Sequence, residues 1–141
     1  MLRHAASRLA SRVQCGAAVP ALASRALSSG SSFATTRTFS EADVAQFVRL
    51  TGDSNPLHAP GDQAIVPGVL AASLFPALFA GEWPGSVYRA QTLDFLRPVP
   101  VAETVTATIV VTKVTSARRR GDFVECDTSV VLDDGAAAVA G

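Results

Sequence analysis

Apolar side chains recur at helical spacing between residues 41 and 51. They are Val44, Phe47 and Val48. Ser40 stands directly before this stretch and is a residue type favoured at a helix N-cap, with Asp43 three positions further on. Gly52 follows the stretch, and glycine is the residue that most often ends a helix. The pattern therefore predicts an amphipathic helix over residues 41–51.

The run "VPGVLAASLFPALFA" at residues 66–80 is apolar throughout. A helix formed by this run has no side that suits water, so we expect it to be buried all round. The small residues within it would let a sheet approach closely, and they are Gly68, Ala71, Ala72 and Ser73. Pro76 lacks a backbone N–H, so we expect it to kink the helix or to end its first part.

Two later segments alternate apolar and polar residues with the period of a β-strand. In residues 103–116 the apolar face consists of Val105, Ala107, Ile109 and Val111. In residues 122–132 it consists of Val124, Cys126, Thr128, Val130 and Leu132. The segment "SARRRGD" connects the two, so the pattern predicts an antiparallel hairpin with a basic tip.

Shorter strands are predicted at residues 36–40, along 86–99 and from residue 136 onward, while residues 28–36 have the composition of a flexible lead-in. The order is therefore strand, helix, loop, apolar helix and several antiparallel strands. A curved antiparallel sheet wrapped around the apolar helix is the simplest way to bury that helix. This α+β arrangement is the hotdog fold.

Charge divides the 141 residues into two parts. Residues 1–40 contain five arginines and neither Asp nor Glu, and they are rich in Ala and Ser, which is typical of an organelle transit peptide. We assign residues 1–35 to a mitochondrial transit peptide and lead-in, and residues 36–141 to one domain. The alternative for the first part is a tail with no targeting role.

The rest of the chain is mildly acidic. After residue 40 there are seven Lys and Arg (12 − 5) and twelve Asp and Glu, a net charge of −5. This balance gives no electrostatic reason to bind nucleic acid. The longest apolar run is interrupted by prolines, so we expect no membrane insertion. Cys126 is the only cysteine after the presequence, which fits a reducing compartment.

The stretch "GDSNPLH" at residues 52–58 combines an acid, an amide and an imidazole. Asp53 and His58 could act together in acid–base chemistry, because a carboxylate and an imidazole can take one proton and return another. Asn55 could orient either side chain. The alternative is structural: Asp and Asn are common in turns, so Asp53 would cap a turn and His58 would be an exposed loop residue.

Three segments together resemble the MaoC-like (R)-specific enoyl-thioester hydratases. They are "GDSNPLH", "IVPGVLAASLF" and "LDFLRPVPVAETVTATIVVTKV". The resemblance covers residues 36–141, and the presequence makes the chain most similar to the mitochondrial 3-hydroxyacyl-thioester dehydratases of this family. It implies that Asp53 and His58 are catalytic, that Asn55 belongs to the substrate site, and that the backbone N–H of Gly68 polarises the thioester carbonyl.

The chain departs from the family in two places. Nine residues, 59–67, separate His58 from Gly68, whereas the family usually has a longer connection there that helps to shape the acyl tunnel. The family also commonly has His-Gly where this chain has Pro67-Gly68. In addition, we expect the last strand to continue beyond Gly141, so an incomplete domain stays open as an alternative.

The resemblance implies a hydro-lyase that interconverts (R)-3-hydroxyacyl and trans-2-enoyl thioesters of acyl carrier protein or CoA, without cofactor or metal, as a homodimer. Its expected role is the dehydration step of mitochondrial fatty-acid synthesis. The alternatives are a non-catalytic acyl-thioester-binding protein, a degenerate or truncated copy, and a hotdog thioesterase. We expect Arg118–Arg120 to be a solvated tip, with contact to a phosphopantetheine phosphate or an acidic carrier protein as the alternative.

Overall fold

The computed structural model describes residues 28–117 and 121–141. It contains three α-helices and seven β-strands in the described residues. In chain order they are β1 (Ser32–Thr38), α1 (Glu41–Thr51), β2 (Ile65–Val66), α2 (Gly68–Ala72), α3 (Leu74–Glu82), β3 (Asp94–Phe95), β4 (Val99–Pro100), β5 (Thr104–Ala117), β6 (Gly121–Leu132) and β7 (Ala137–Ala140). A 3₁₀ turn at Pro56–His58 lies between α1 and β2.

The main sheet has the strand order β1-β5-β6-β7-β3, and its neighbouring strands are antiparallel. The predicted β5–β6 hairpin is confirmed, with a register that runs from Val105 opposite Leu132 to Ala117 opposite Gly121. A bulge interrupts this register between Val111 and Lys113. The basic tip at 118–120 lies outside the described residues.

The inward faces of β5 and β6 are the ones that the alternation predicts. All nine predicted side chains are buried: Val105, Ala107, Ile109, Val111, Val124, Cys126, Thr128, Val130 and Leu132. Because side chains of a strand alternate between its two faces, this burial leaves the threonines of β5 on the other side. The apolar face of the hairpin forms much of the core against which α3 packs.

Helix α1 begins and ends where the sequence predicts. Ser40 forms a capping box with Asp43: the Ser40 hydroxyl accepts from the Asp43 N–H, and the Asp43 carboxylate accepts from the Ser40 N–H. Gly52 adopts a left-handed conformation with φ 76° and ends the helix. Val44 is the fully buried anchor of this helix.

The apolar run forms two helices, α2 and α3, that join at Ser73. Pro76 lies in the first turn of α3, where its missing N–H costs least, so the break falls three residues before it. The expectation of burial on all sides is wrong for this chain. In α3, Phe75 and Phe79 are buried against the main sheet, but Ala77 and Ala80 are exposed, and Val69 of α2 is 58% exposed.

Two other expectations need correction. The predicted strand 86–99 is only β3 and β4, two residues each, since the intervening "LRP" breaks the pairing. The lead-in does not extend to residue 36: Ser32–Thr38 is a regular strand along β5. The short last strand is confirmed as β7. No helix in the described part of the chain is long and apolar enough to cross a membrane.

Candidate active site

The "GDSNPLH" loop starts at the left-handed Gly52. The Gly52 N–H donates to the Val48 carbonyl at 2.8 Å, which closes the last turn of α1. A positive φ costs a glycine little, and it turns the chain out of the helical path. The Asp53 N–H then donates to the Thr51 hydroxyl at 3.3 Å. Asp53 is thereby fixed one residue beyond the end of a capped helix.

Side-chain oxygens hold the turn that follows. Oδ1 of Asp53 accepts from the Asn55 N–H at 3.0 Å, and Oδ1 of Asn55 accepts from the Leu57 N–H at 3.1 Å. Pro56 occupies the first position of the 3₁₀ turn, where its fixed φ suits the geometry. The structural alternative for Asp53 is therefore confirmed for one of its oxygens, because Oδ1 caps a turn.

The other oxygen of Asp53 faces His58. Oδ2 of Asp53 lies 3.6 Å from Nε2 of His58. The His58 side chain is only 9% exposed, whereas the Asp53 side chain is 34% exposed. The alternative that His58 is an exposed loop residue is therefore wrong. Solvent reaches the pair through the more exposed Asp53 carboxylate.

The tautomer of His58 follows from its second contact. Nδ1 lies 2.8 Å from the backbone carbonyl of Ile65. A carbonyl can only accept, so Nδ1 carries the proton and Nε2 of the neutral ring is an acceptor. At 3.6 Å, Nε2 and the Asp53 carboxylate do not hydrogen-bond to each other, but both can accept from one water molecule placed against them.

A cavity of about 350 Å³ opens beside the pair, between α1 and the loop. Asp53, Asn55 and His58 all line it. Its apolar wall includes Val44, Ala45, Val48, Ala64 and Val101. Two charged residues, Glu41 and Arg49, line the α1 side. An acid–base pair in a mostly apolar cavity is the type of arrangement that small-molecule sites use.

Gly68 does not line this cavity in the part of the chain that the structure describes. It is the first residue of α2, where a backbone N–H has no acceptor within its own helix. A Cβ added at Gly68 would lie 2.5 Å from Cδ1 of Phe95. Close packing against Phe95 therefore explains why a glycine suits position 68. The contact of its N–H with a thioester stays a prediction.

Sequence reasoning missed the Ile65 carbonyl, which sets the tautomer of His58, because a backbone acceptor leaves no signal in residue types. The pairing of Ile65 with Pro100 is what brings that carbonyl into place. It also missed the contribution of α1 to the cavity. The substrate-site role of Asn55 stays a prediction, since the contact of its Oδ1 in the structure is the turn cap. Among the described residues no three His, Cys, Asp or Glu side chains are grouped to hold a metal ion.

The sequence is similar to a known protein family and to several characterised enzymes. The MaoC like domain family matches residues 24–132. An (R)-specific enoyl-CoA hydratase of Aeromonas caviae is 34% identical over 130 residues, which are 85% of this chain and 95% of that protein. A mitochondrial 3-hydroxyacyl-[acyl-carrier-protein] dehydratase of Solanum lycopersicum is 39% identical over 94 residues, which are 61% of this chain and 57% of that protein. The chain thus spans little more than half of the tomato relative.

Solved structures give the same picture. An (R)-hydratase from A. caviae superposes with a TM-score of 0.74 at 34% identity, over 83% of this chain and 94% of that chain. An R-hydratase from Pseudomonas aeruginosa superposes with a TM-score of 0.72 at 29% identity, over 82% of this chain and 78% of that chain. The overlap confirms the predicted hotdog fold.

Proposed function

The chain belongs to the MaoC-like domain family, and from this we propose that it is a hydro-lyase that interconverts (R)-3-hydroxyacyl and trans-2-enoyl thioesters. The observation that carries the proposal is the pair itself. Oδ2 of Asp53 lies 3.6 Å from Nε2 of His58, and the Ile65 carbonyl fixes the tautomer that leaves Nε2 as an acceptor.

In the hydration direction one water would be held by the Asp53 carboxylate and by Nε2 of His58. As the water oxygen attacks C3 of the enoyl group, the pair takes a proton from the water and delivers a proton to C2. The hydroxyl group thus ends on C3 and the hydrogen on C2. The Gly68 N–H would donate to the thioester oxygen, on which negative charge builds. Dehydration is the same path reversed.

The test is hydration of crotonyl-CoA by the full chain, followed as loss of enoyl absorbance. We expect activity in the wild-type protein and at least a hundredfold less in Asp53→Asn. Free thiol released instead, without prior loss of the enoyl group, would indicate a thioesterase. No reaction of either kind would overturn the hydro-lyase.

The second candidate is a non-catalytic acyl-thioester-binding protein. The observation that favours it is the position of Gly68, which lies outside the cavity lined by Asp53 and His58 within the described chain. Binding of crotonyl-CoA without turnover, measured by calorimetry, would support this candidate. Activity that appears when a longer connection is built into 59–67 would instead identify the chain as a shortened hydratase.

A mitochondrial location is part of the proposal. It is supported by the arginine-rich, acid-free residues 1–40 and by the mitochondrial dehydratases of tomato and Arabidopsis among the relatives. In that compartment the reaction would supply the dehydration step of fatty-acid synthesis on acyl carrier protein. Residues 1–40 fused to a fluorescent reporter should direct it to mitochondria, and a diffuse cytosolic signal would contradict this.

A homodimer is also proposed. Its support is a groove of about 640 Å³ between β1, α1 and α3, whose wall includes the partly exposed Phe47, Leu70, Leu74 and Leu78. Apolar grooves of this kind are commonly covered by a partner. Sedimentation should give twice the chain mass for the wild-type protein. Ala77→Asp should give a folded monomer, because Ala77 lines the groove and its side chain is exposed in the single chain.

A further inference from the structure

The Thr51 hydroxyl links the last turn of α1 to the first residue of the acid–base pair. It donates to the Phe47 carbonyl at 2.8 Å, and it accepts from the Asp53 N–H at 3.3 Å. A carbonyl can only accept and an N–H can only donate, so both roles of the hydroxyl are fixed. The backbone of Asp53 is therefore tied to the helix by a side chain as well as by the chain itself.

Two hydrogen bonds determine where the Asp53 carboxylate lies. One holds its backbone N–H at Thr51, and the other joins Oδ1 to the Asn55 N–H at 3.0 Å. Oδ2 is the oxygen that remains, 3.6 Å from Nε2 of His58. The imidazole is held from its other side by the Ile65 carbonyl. Without the bond to Thr51, the carboxylate would be held from the Asn55 side only, and Oδ2 would be able to move away from Nε2.

Thr51 itself lies outside the site. Its side chain is exposed, and in the part of the chain that the structure describes it lines neither the cavity beside Asp53 nor the groove between α1 and α3. Any effect of Thr51 on the reaction would therefore act through Asp53. Thr, Val and Ser have similar helix propensities, so exchanges among them at the last residue of α1 change mainly the hydroxyl.

One of the two contacts of Thr51 is ordinary. A hydroxyl bond to the carbonyl four residues earlier is common for threonine in a helix and indicates nothing about chemistry. Thr112 in β5 makes a similar bond, because its hydroxyl donates to the Glu125 carbonyl at 3.0 Å. The contact that distinguishes Thr51 is the one with the Asp53 N–H. Thr112 thus supplies a matched control for the loss of an exposed hydroxyl.

We propose that Thr51 is a positioning residue for the hydration reaction. Its hydroxyl would hold Asp53 so that Oδ2 lies where it and Nε2 of His58 can both accept from one water. This inference rests on the proposed function, because it takes the pair to act on an acyl thioester. A misplacement of about 1 Å in a reacting group can cost up to about a hundredfold in rate, so a flexible link to one oxygen matters.

The first measurement needs no turnover. Hydrogen exchange of the Asp53 amide, followed by NMR in the full chain, should be faster in Thr51→Val than in wild type, because its acceptor is lost. Thr51→Ser should keep the slower exchange. In a crystal structure of Thr51→Val, the distance from Oδ2 of Asp53 to Nε2 of His58 should differ from 3.6 Å by more than about 0.5 Å. An unchanged exchange rate or an unchanged distance would overturn the proposal.

The second measurement is hydration of crotonyl-CoA. We expect Thr51→Val to lower kcat about tenfold with KM nearly unchanged, because Thr51 does not touch the ligand. Thr51→Ser should restore most of the rate, and Thr112→Val should leave it unchanged. In an Asp53→Asn background, Thr51→Val should cost little more, because the carboxylate that it positions is gone. A tenfold loss that persists in that background would assign Thr51 to the fold and overturn the proposal.

Failure of this inference is separable from failure of the proposed function. A chain that hydrates crotonyl-CoA equally in wild type and Thr51→Val keeps the hydro-lyase and overturns the role of Thr51. A chain that hydrates nothing overturns the hydro-lyase. If Thr51→Val then still speeds exchange of the Asp53 amide and displaces Oδ2 from Nε2 of His58, Thr51 remains the residue that positions Asp53.

Discussion

The β5–β6 hairpin and the loop from Gly52 to His58 are held together in opposite ways. The hairpin is regular, with long paired strands whose alternate side chains are fully buried. The loop is irregular and mostly exposed, and a few side-chain and backbone hydrogen bonds hold its turns, such as that from the Asn55 N–H to Asp53. On the proposed function, the chemistry would therefore reside in the loop, apart from the hairpin that stabilises the fold.

This separation has a physical cause. Burial of apolar surface is the main favourable term in folding, and it requires large contiguous faces such as those of β5 and β6. An acid–base pair needs polar atoms that water and substrate can reach, which a sealed core does not allow. A capped helix end beside the core meets both needs, because Val44 is buried while Asp53 stays one-third exposed.

The largest effect is expected on the core side of the comparison. Phe75 is fully buried between α3 and the sheet, so Phe75→Ala should lower the free energy of unfolding by about 3–5 kcal/mol. Leu96→Ala is the control, since Leu96 is 56% exposed and lies outside the proposed dimer groove, and it should stay within about 0.5 kcal/mol. Urea unfolding measures both. Equal effects at the two positions would contradict the assignment of the core.

The contrast between these regions also explains what the sequence could predict. Strand alternation and the Ser40 to Gly52 helix signals are local, so α1, β5, β6 and their buried faces were predicted correctly. The burial of α3 was overestimated, because residue type cannot tell whether one sheet or two layers cover a helix. Within the site, the motif identified Asp53 and His58, whereas the contact with the Ile65 carbonyl and the cavity wall formed by Ala64 and Val101 depend on how separate segments meet.

The second effect is expected on the chemical side. Asp53→Asn and His58→Ala should each reduce hydration of crotonyl-CoA by about a hundredfold, or about 2.7 kcal/mol of transition-state stabilisation. The double variant should be little worse than the worse single variant, because the two residues would act on one water. Activity assays and thermal unfolding of all three variants measure this.

The melting temperature supplies the control for those variants. Asp53→Asn keeps a side-chain oxygen that can cap the turn, so it should melt close to the wild-type protein. His58→Ala removes a nearly buried side chain and its contact with the Ile65 carbonyl, so it should melt somewhat lower but still fold. Variants that keep their activity while melting much lower would make Asp53 and His58 turn residues only. In that case the loop, like the β5–β6 hairpin, would serve the stability of the fold.

Gly68 tests the border between core and site. Its added Cβ would approach the Phe95 ring to 2.5 Å, and the ring is 53% exposed and can rotate away in part. Gly68→Ala should therefore destabilise the fold by about 1 kcal/mol, at the lower end of overpacking costs. In a Phe95→Ala background the same change should become neutral or stabilising, because alanine restricts the unfolded chain more than glycine does. If Gly68→Ala still lowers the free energy of unfolding in that background, the steric clash is with a residue other than Phe95.

The smallest effect concerns the cap at the other end of α1 from the site. Hydrogen bonds from the Ser40 N–H and hydroxyl to the Asp43 carboxylate, at 2.9 and 2.7 Å, lower the pKa of Asp43 below its ordinary value of 3.8, and the Arg37 guanidinium adds to this. Because the folded pKa lies below the unfolded one, the stabilisation is complete above about pH 5 and is lost as the pH falls through the folded pKa.

Asp43→Asn should therefore lower the urea midpoint at pH 7 by an amount that shrinks toward pH 3. Asp62→Asn, at an exposed loop carboxylate, should leave the midpoint unchanged at pH 7. A difference between wild type and Asp43→Asn that stays constant from pH 7 to pH 3 would mean that the ionised carboxylate contributes nothing and that the cap acts only through the Ser40 hydroxyl and the Asp43 N–H.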